Sequence, residues 1–307
     1  MKNVINFGLI LFGVAFYFMT TVKANAASCT STSTRSDHAS SSTTSHALGT
    51  INFCSVDAES IILKIYEFGL CTGPSNLTDV SACTTLFKSS SGQNVDLTVG
   101  SSVSLISEIS LSEGSYTNAY LKVSDEISIK AIVEFADARV SNPATGLGDG
   151  SGKFCFTDGR SINDVPTIIT CSNTKNGADV TSEKMYIGYE DSNGNYVSGE
   201  IPNYQTSLGG VITETDLYTY NSEGAFERVR ANAVGIYADQ TLAAPVNIDA
   251  NTSTIDLGIV VKDGVSLGFR CENDAEDEFP DPPNAPDWDK CVSDFSFNGL
   301  RFVISAQ

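Results

Sequence analysis

The residues of this chain whose types could do chemistry are eight cysteines and two histidines, and the sequence keeps them apart. The cysteines are spread from Cys29 to Cys291, whereas His38 and His46 both fall in a Ser/Thr-rich stretch near the start. From residue 51 to residue 307 there is no histidine. Ser-His-Asp and Cys-His nucleophilic catalysis needs an imidazole beside the nucleophile, so neither can be built in that body. The chain also lacks a phosphate-cradling loop, an H-E-x-x-H pair and a dinucleotide fingerprint. No catalytic residue and no cofactor-binding residue is assigned. Acids are abundant, so a pair of carboxylates acting as in glycoside hydrolases is the enzymatic constellation that the composition leaves open.

The cysteines read as a disulfide framework. Eight of them in a chain with an export signal predict four bridges, a number that permits 105 connectivities. Spacing favours local pairs: Cys71–Cys83 around a Gly-Pro-Asn-rich loop, Cys155–Cys171 around a segment able to turn back, and Cys271–Cys291 around an acidic loop. Cys29–Cys54 remains and would tie the Ser/Thr-rich stretch to the first strand. Zinc is disfavoured, since paired C-x-x-C spacing and nearby histidines are both missing.

The segment between Cys271 and Cys291 carries eight acids, four prolines and Trp288, the single tryptophan. Hard oxygen ligands crowded in one loop suit calcium, and Glu276, Asp277, Glu278 and Asp281 cluster most tightly. Trp288 would suit a partner-binding anchor. A solvated, proline-stiffened loop with Trp288 packed on the body is the third reading. Asp191-Ser192-Asn193-Gly194-Asn195 also resembles a calcium loop, but its glycine and Glu200 stand at the wrong positions for an EF-hand. Asn193-Gly194 between strand-like flanks predicts a hairpin instead.

Residues 1–26 have the form of a signal peptide: a basic start at Lys2, an apolar run from Val4 to Val22, and Ala24-Asn25-Ala26 as a small-x-small cleavage site. An uncleaved anchor is the competing reading of the apolar run. Ala27-Ser28-Cys29 also suits a lipid-modified cysteine, although Ala26 stands where a larger aliphatic is usual. After cleavage no segment is apolar enough to span a bilayer as a helix. The chain carries 18 basic and 37 acidic residues; Lys2 and Lys23 leave with the signal, and the mature net charge becomes −21. Such a surface repels nucleic acid and anionic lipid. Asn76-Leu77-Thr78 and Asn251-Thr252-Ser253 are acceptors for N-glycosylation in a host that performs it.

The elements that must position these residues are strands. Residues 27–50 are Ser/Thr-rich and predict a flexible tail with solvated histidines. Beyond them apolar residues recur with period two: Val95, Leu97 and Val99; Val103, Leu105, Ile109 and Leu111; Ala119, Leu121 and Val123; Ile127 to Phe135; Ile255 to Val261; Leu300, Phe302 and Ile304. That alternation makes one apolar and one wet face on an antiparallel sheet. A short segment over Arg228–Asp239 is the one helical candidate. Residues 51–307 can form one large sandwich or two smaller ones, with 140–153, rich in Gly, as the sub-boundary of a two-domain division.

Glu113-Gly114-Ser115-Tyr116, followed by TNAYLKV, resembles the strand start of transthyretin-like and related immunoglobulin-like sandwiches. The resemblance covers about 30 residues and implies a turn at the glycine and a strand opening at the tyrosine; it implies no function. The expectation is an all-β protein: antiparallel β-sandwich, immunoglobulin-like or transthyretin-like, and disulfide-stapled. Its function reads as an exported, non-enzymatic cell-surface or periplasmic protein, either a binding module or a structural or adhesive subunit. A secreted glycan-binding module or carboxylate-dependent hydrolase is the alternative. Other surface proteins, glycans or further copies of the chain are the expected partners, with calcium as the one candidate cofactor.

Overall fold

The alternating runs form strands, and the strands form antiparallel sheets. The computed structural model describes residues 27–45, 49–99, 111–141, 150–159, 169–175, 177–184, 188–190, 196–208, 211–252, 255–269 and 290–306. The first strands are β1 (Ser42–Ser45), β2 (Gly49–Val56), β3 (Ser60–Cys71), β4 (Cys83–Leu97), β5 (Gly114–Lys130) and β6 (Ile132–Ser141). Next come β7 (Ser151–Thr157), β8 (Ile169–Ser172), β9 (Thr181–Lys184), β10 (Gly188–Glu190), β11 (Tyr196–Ser198), β12 (Glu200–Leu208) and β13 (Val211–Tyr220). The last are β14 (Gly235–Ile248), β15 (Ile255–Val260), β16 (Val265–Phe269), β17 (Cys291–Val292), β18 (Phe295–Phe297) and β19 (Arg301–Ala306). Among the described residues the only helical elements are 3-10 turns at Ser36–Ser41 and Arg230–Asn232. No helix among them is long and apolar enough to cross a membrane.

A seven-stranded sheet dominates, in the order β12-β13-β14-β5-β3-β4, with β9 pairing the far end of β5. Among the described residues there are also two four-stranded sheets, β1-β2-β16-β18 and β17-β6-β7-β8, and two strand pairs, β10-β11 and β15-β19. Strand pairing among the described residues is antiparallel except at the short β17–β6 contact. After Ala131 the chain passes directly from β5 in the large sheet to β6 in another.

One face of the large sheet makes the main core. Leu63, Ile65, Ala119, Leu121, Val123, Ile127 and Ile236 turn inward to meet Ile259, Val265, Leu267, Phe269, Phe295 and Phe302. Burying each large aliphatic or aromatic side chain contributes about 1.5–3 kcal/mol. Phe68 and Phe302 touch across the two layers, ring centroids 5.3 Å apart. Gln240 of β14 bridges the same layers. Its amide nitrogen donates to the Leu300 carbonyl at 3.0 Å and to Thr215 Oγ1 at 3.1 Å, and its amide oxygen accepts the Phe302 N–H at 2.8 Å.

Three disulfides are seen whole among the described residues. Cys71–Cys83 and Cys155–Cys171, two of the pairs that local spacing favours, and Cys29–Cys54, the pair left over, are bonded, with Cα atoms 3.9, 4.1 and 5.0 Å apart. Such bonds form and persist in oxidising compartments. Cys291 is also disulfide-bonded, while Cys271 lies outside the described residues.

Two expectations need correction. Residues 27–45 do not run free as a flexible tail. Cys29 is bonded to Cys54, the Ala136 N–H donates to the Ser31 carbonyl at 2.7 Å, and the Asn52 amide donates to the Arg35 carbonyl at 2.7 Å. Arg139, buried, sends Nη2 to the Ser33 carbonyl at 2.5 Å. His38 is only 4 % exposed, stacked on Phe269 at 5.6 Å with its Nε2 3.0 Å from Ser33 Oγ. The physical reason is that backbone carbonyls carry the docking, and these are invisible in side-chain composition. The helical candidate over Arg228–Asp239 is also overturned. Past the 3-10 turn the chain enters β14, where hydrogen-bonded ladders to β13 and β5 on both sides outweigh local propensity.

The 140–153 segment joins two strands of one sheet, for Val140 pairs with Ser151. On either side of residues 191–195, which lie outside the described residues, β10 and β11 pair antiparallel from Glu190↔Tyr196 to Gly188↔Ser198. Gly114 opens β5, and the buried Tyr116 donates its hydroxyl to the Ser112 carbonyl at 3.0 Å.

Candidate functional site

The polar register of the large sheet is not uniformly wet. On the face away from the main core, β3 presents Glu67, Gly69 and Cys71, and β5 presents Lys122, Tyr120 and Asn118 directly opposite them. In β14, Tyr237 pairs with Lys122 and Asp239 with Tyr120. In β13, Tyr218 pairs with Tyr237 and Tyr220 with Gly235. Tyr120, Tyr220, Tyr237 and Cys71 form a second, smaller buried cluster, with Leu77, Cys83 and Tyr218 packed on it. Tyr120 and Tyr237 stack at 5.7 Å, and Tyr218 tilts against Tyr237 at 6.2 Å. Gly69 and Gly235 make room for these rings: a Cβ at Gly69 would collide with the Tyr120 ring, and one at Gly235 with the Tyr220 hydroxyl.

The lid over this cluster is the Cys71–Cys83 loop. Ser75 donates its backbone N–H to Asp239 Oδ2 at 2.8 Å and its hydroxyl to the same oxygen. The Ser75 hydroxyl accepts from Tyr237 at 2.6 Å, and the Asn118 amide donates to Asp239 Oδ1 at 2.6 Å. Burial pushes the Asp239 carboxyl above its ordinary value, an effect that the Ser75 and Asn118 donors partly offset. Burial likewise pushes the Tyr120, Tyr220 and Tyr237 hydroxyls upward, so all three stay protonated donors.

Beyond the lid the face opens into a groove of about 490 Å³. Glu67, 8 % exposed, forms its floor. Tyr120 donates to Glu67 Oε1 at 2.8 Å and is itself 2.7 Å from Thr85 Oγ1. Lys88 and Lys122 approach Oε2 at 3.1 and 3.9 Å. Burial alone would raise the Glu67 carboxyl, but Tyr120, Lys88 and Lys122 together overcome that and hold it below its ordinary value. Glu67 is therefore an ionised hydrogen-bond acceptor at neutral pH. Lys122 also stands 5.9 Å from the Tyr237 ring centre. Tyr66, Ser89, Ser90, Val234 and the Tyr220–Gly224 turn complete the walls. The turn is shaped by Asn221, whose side-chain oxygen accepts from the backbone N–H groups of Glu223 and Ala225 at 3.0 and 3.1 Å.

Of the residues singled out from sequence, Cys71 and Cys83 hold the lid of this cluster. Glu276, Asp277, Glu278, Asp281 and Trp288 fall outside the described residues. Among the described residues no group of three or more His, Cys, Asp or Glu is placed to share a metal ion. Sequence reasoning missed Glu67, Lys88, Lys122, Tyr120, Tyr220, Tyr237 and Asp239. The signal was present as aromatic residues on the supposedly wet register, in N-x-Y-x-K at 118–122, Y-x-Y at 218–220 and Y-x-D at 237–239. The chain matches no family model, no curated protein and no solved structure.

Proposed function

We propose that this chain is an exported, non-enzymatic β-sandwich module of the cell surface or periplasm that works by binding. The observation carrying the proposal is the groove at Glu67: a concavity that sets charged and hydroxyl groups beside apolar surface, on a sheet backed by a second buried cluster and a disulfide lid. Its volume falls in the range of about 300–1,000 Å³ typical of small-ligand sites. Export is supported by the signal-like residues 1–26 and by three bonded cysteine pairs. A sandwich reading is supported by the two layers joined through Gln240 and by the Gly114–Tyr116 strand start. A non-enzymatic role is supported by the lack of histidine between residues 51 and 307, which removes imidazole-based nucleophilic catalysis from the body.

The test is a screen of immobilised mature protein against glycan and surface-protein arrays, together with sedimentation across a concentration series. Selective capture by a monodisperse monomer is the expected result. Silent arrays with concentration-dependent filament formation would replace the binding module by a structural subunit.

A further inference from the structure

We propose that the groove floored by Glu67 and walled by Lys88, Lys122, Tyr66 and the Tyr220–Gly224 turn is a binding site for a neutral saccharide. This rests on the binding-module reading and deepens it.

Three features fix the chemistry. The first is the mixture of donors and acceptors. A sugar hydroxyl donates and accepts at once, so it matches a site that pairs a fixed carboxylate with ammonium groups. Glu67 is such an acceptor, anchored by Tyr120 behind it. Each ammonium carries three N–H donors, and Lys88 and Lys122 meet Glu67 only at Oε2. Serine hydroxyls at Ser89, Ser90 and Ser222 add further donor-acceptor groups along the walls.

The second feature is charge. The groove holds Lys88 and Lys122 against Glu67 and Glu223, two of each sign. It sits on a chain of net charge −19. An anionic ligand would gain little locally and be repelled by the surrounding field, while a cation would meet the two ammoniums. A neutral, hydroxyl-rich ligand suffers from neither.

The third feature is the apolar wall. Saccharide rings present C–H faces as well as hydroxyls. Tyr66, half-buried, and Val234, 41 % exposed, offer apolar surface beside the polar floor.

The experiment titrates mature protein with cellotriose, maltotriose, laminaritriose, mannotriose and N,N′,N″-triacetylchitotriose, and with trigalacturonic acid as the anionic counterpart. Binding is read by calorimetry and by ligand-observed NMR. The same titrations use Glu67→Gln and Ser222→Trp. Glu67→Gln removes the charged acceptor, and its thermal melt reports whether the fold survives. Ser222→Trp obstructs the groove from an exposed turn position, so it needs no buried change. The expected result is that at least one neutral trisaccharide binds at a single site and that each variant weakens it by about tenfold or more. Binding of trigalacturonic acid alone overturns the proposal. So does neutral-sugar binding that Ser222→Trp leaves unchanged, although the module would still be a binder. Failure of every trisaccharide also overturns it; a silent array as well would remove the broader reading, whereas capture of a surface protein would keep it.

Discussion

Ser75 and Asp239, 164 residues apart, are joined by two hydrogen bonds to one carboxylate oxygen, one from the Ser75 backbone N–H at 2.8 Å and one from its hydroxyl. The contact lays the Cys71–Cys83 loop over Tyr120 and Tyr237 and turns part of a solvent face into interior. Asp239→Ala leaves the Ser75 N–H and the Asn118 amide buried without an acceptor. Each such group costs about 1–3 kcal/mol. Urea unfolding should show a loss of about 3 kcal/mol with little change in slope, and a variant within 0.5 kcal/mol of the parent would refute the latch.

Removing the neighbouring disulfide should loosen the same lid from the other side. The bridge closes a short loop, with a sequence separation of 12. In the chain-entropy model a loop of this size contributes about 3 kcal/mol. The Cys71→Ser/Cys83→Ser pair should lower the melting temperature and speed amide exchange in 72–82 before the rest of the sheet responds. Exchange unchanged in that loop would show that Ser75 alone holds it.

Gln240 offers a test of how the layers are coupled. Gln240→Ala takes the partners from the Leu300 carbonyl and the Phe302 N–H together. About 3 kcal/mol should be lost, by the same accounting of orphaned buried groups. Gln240→Glu keeps the acceptor for the Phe302 N–H but sets a buried carboxylate against the Leu300 carbonyl, so it should cost more than Gln240→Ala. Equal stability of the two variants would rule out the bridge.

His38 sets a pH dependence with a definite sign. Burial against Phe269 lowers its proton affinity, an effect only partly opposed by the Asp37 charge. Its Nδ1 is buried without a hydrogen-bond partner, and Ser33, on its other nitrogen, is held through its carbonyl by Arg139. The unfolded chain therefore binds a proton near the ordinary histidine value of 6.5, and the folded one only at lower pH. Across that window the unfolded state holds more protons, so stability falls as pH drops below 6.5. Thermal melts from pH 8 to pH 5 should show a larger decline in the parent than in His38→Leu. Parallel declines would assign the acid sensitivity to other groups.

Strand positions were readable because burial on one side imposes period two: Ala119, Leu121 and Val123 all face the main core. The Cys71–Cys83 pairing was readable because turn-forming residues fill its short loop. What was not readable depends on contacts between distant segments. Asn118 and Tyr120 occupy the polar register yet are buried, because a loop anchored at Asp239 covers them. The groove escaped notice for the same reason, since Glu67, Lys88, Lys122 and the Tyr220–Gly224 turn come from four places in the chain. Residues 27–45 misled because composition reports side chains, whereas Ser31, Ser33 and Arg35 are gripped by their carbonyls.

The docking of that first stretch bears on the order in which the protein can assemble as it is made. Translation delivers Ser31 and His38 early, but their partners Ala136, Arg139 and Phe269 leave the ribosome much later. The stretch must therefore wait, unburied, while most of the body is still being synthesised. Its disulfide partner Cys54 follows after only 25 residues. Once that bond forms, the waiting stretch is tethered beside β2, and its final capture becomes a search within a small volume rather than across the whole chain. Residues 27–45 are thus among the last to find their place, held nearby until their site exists.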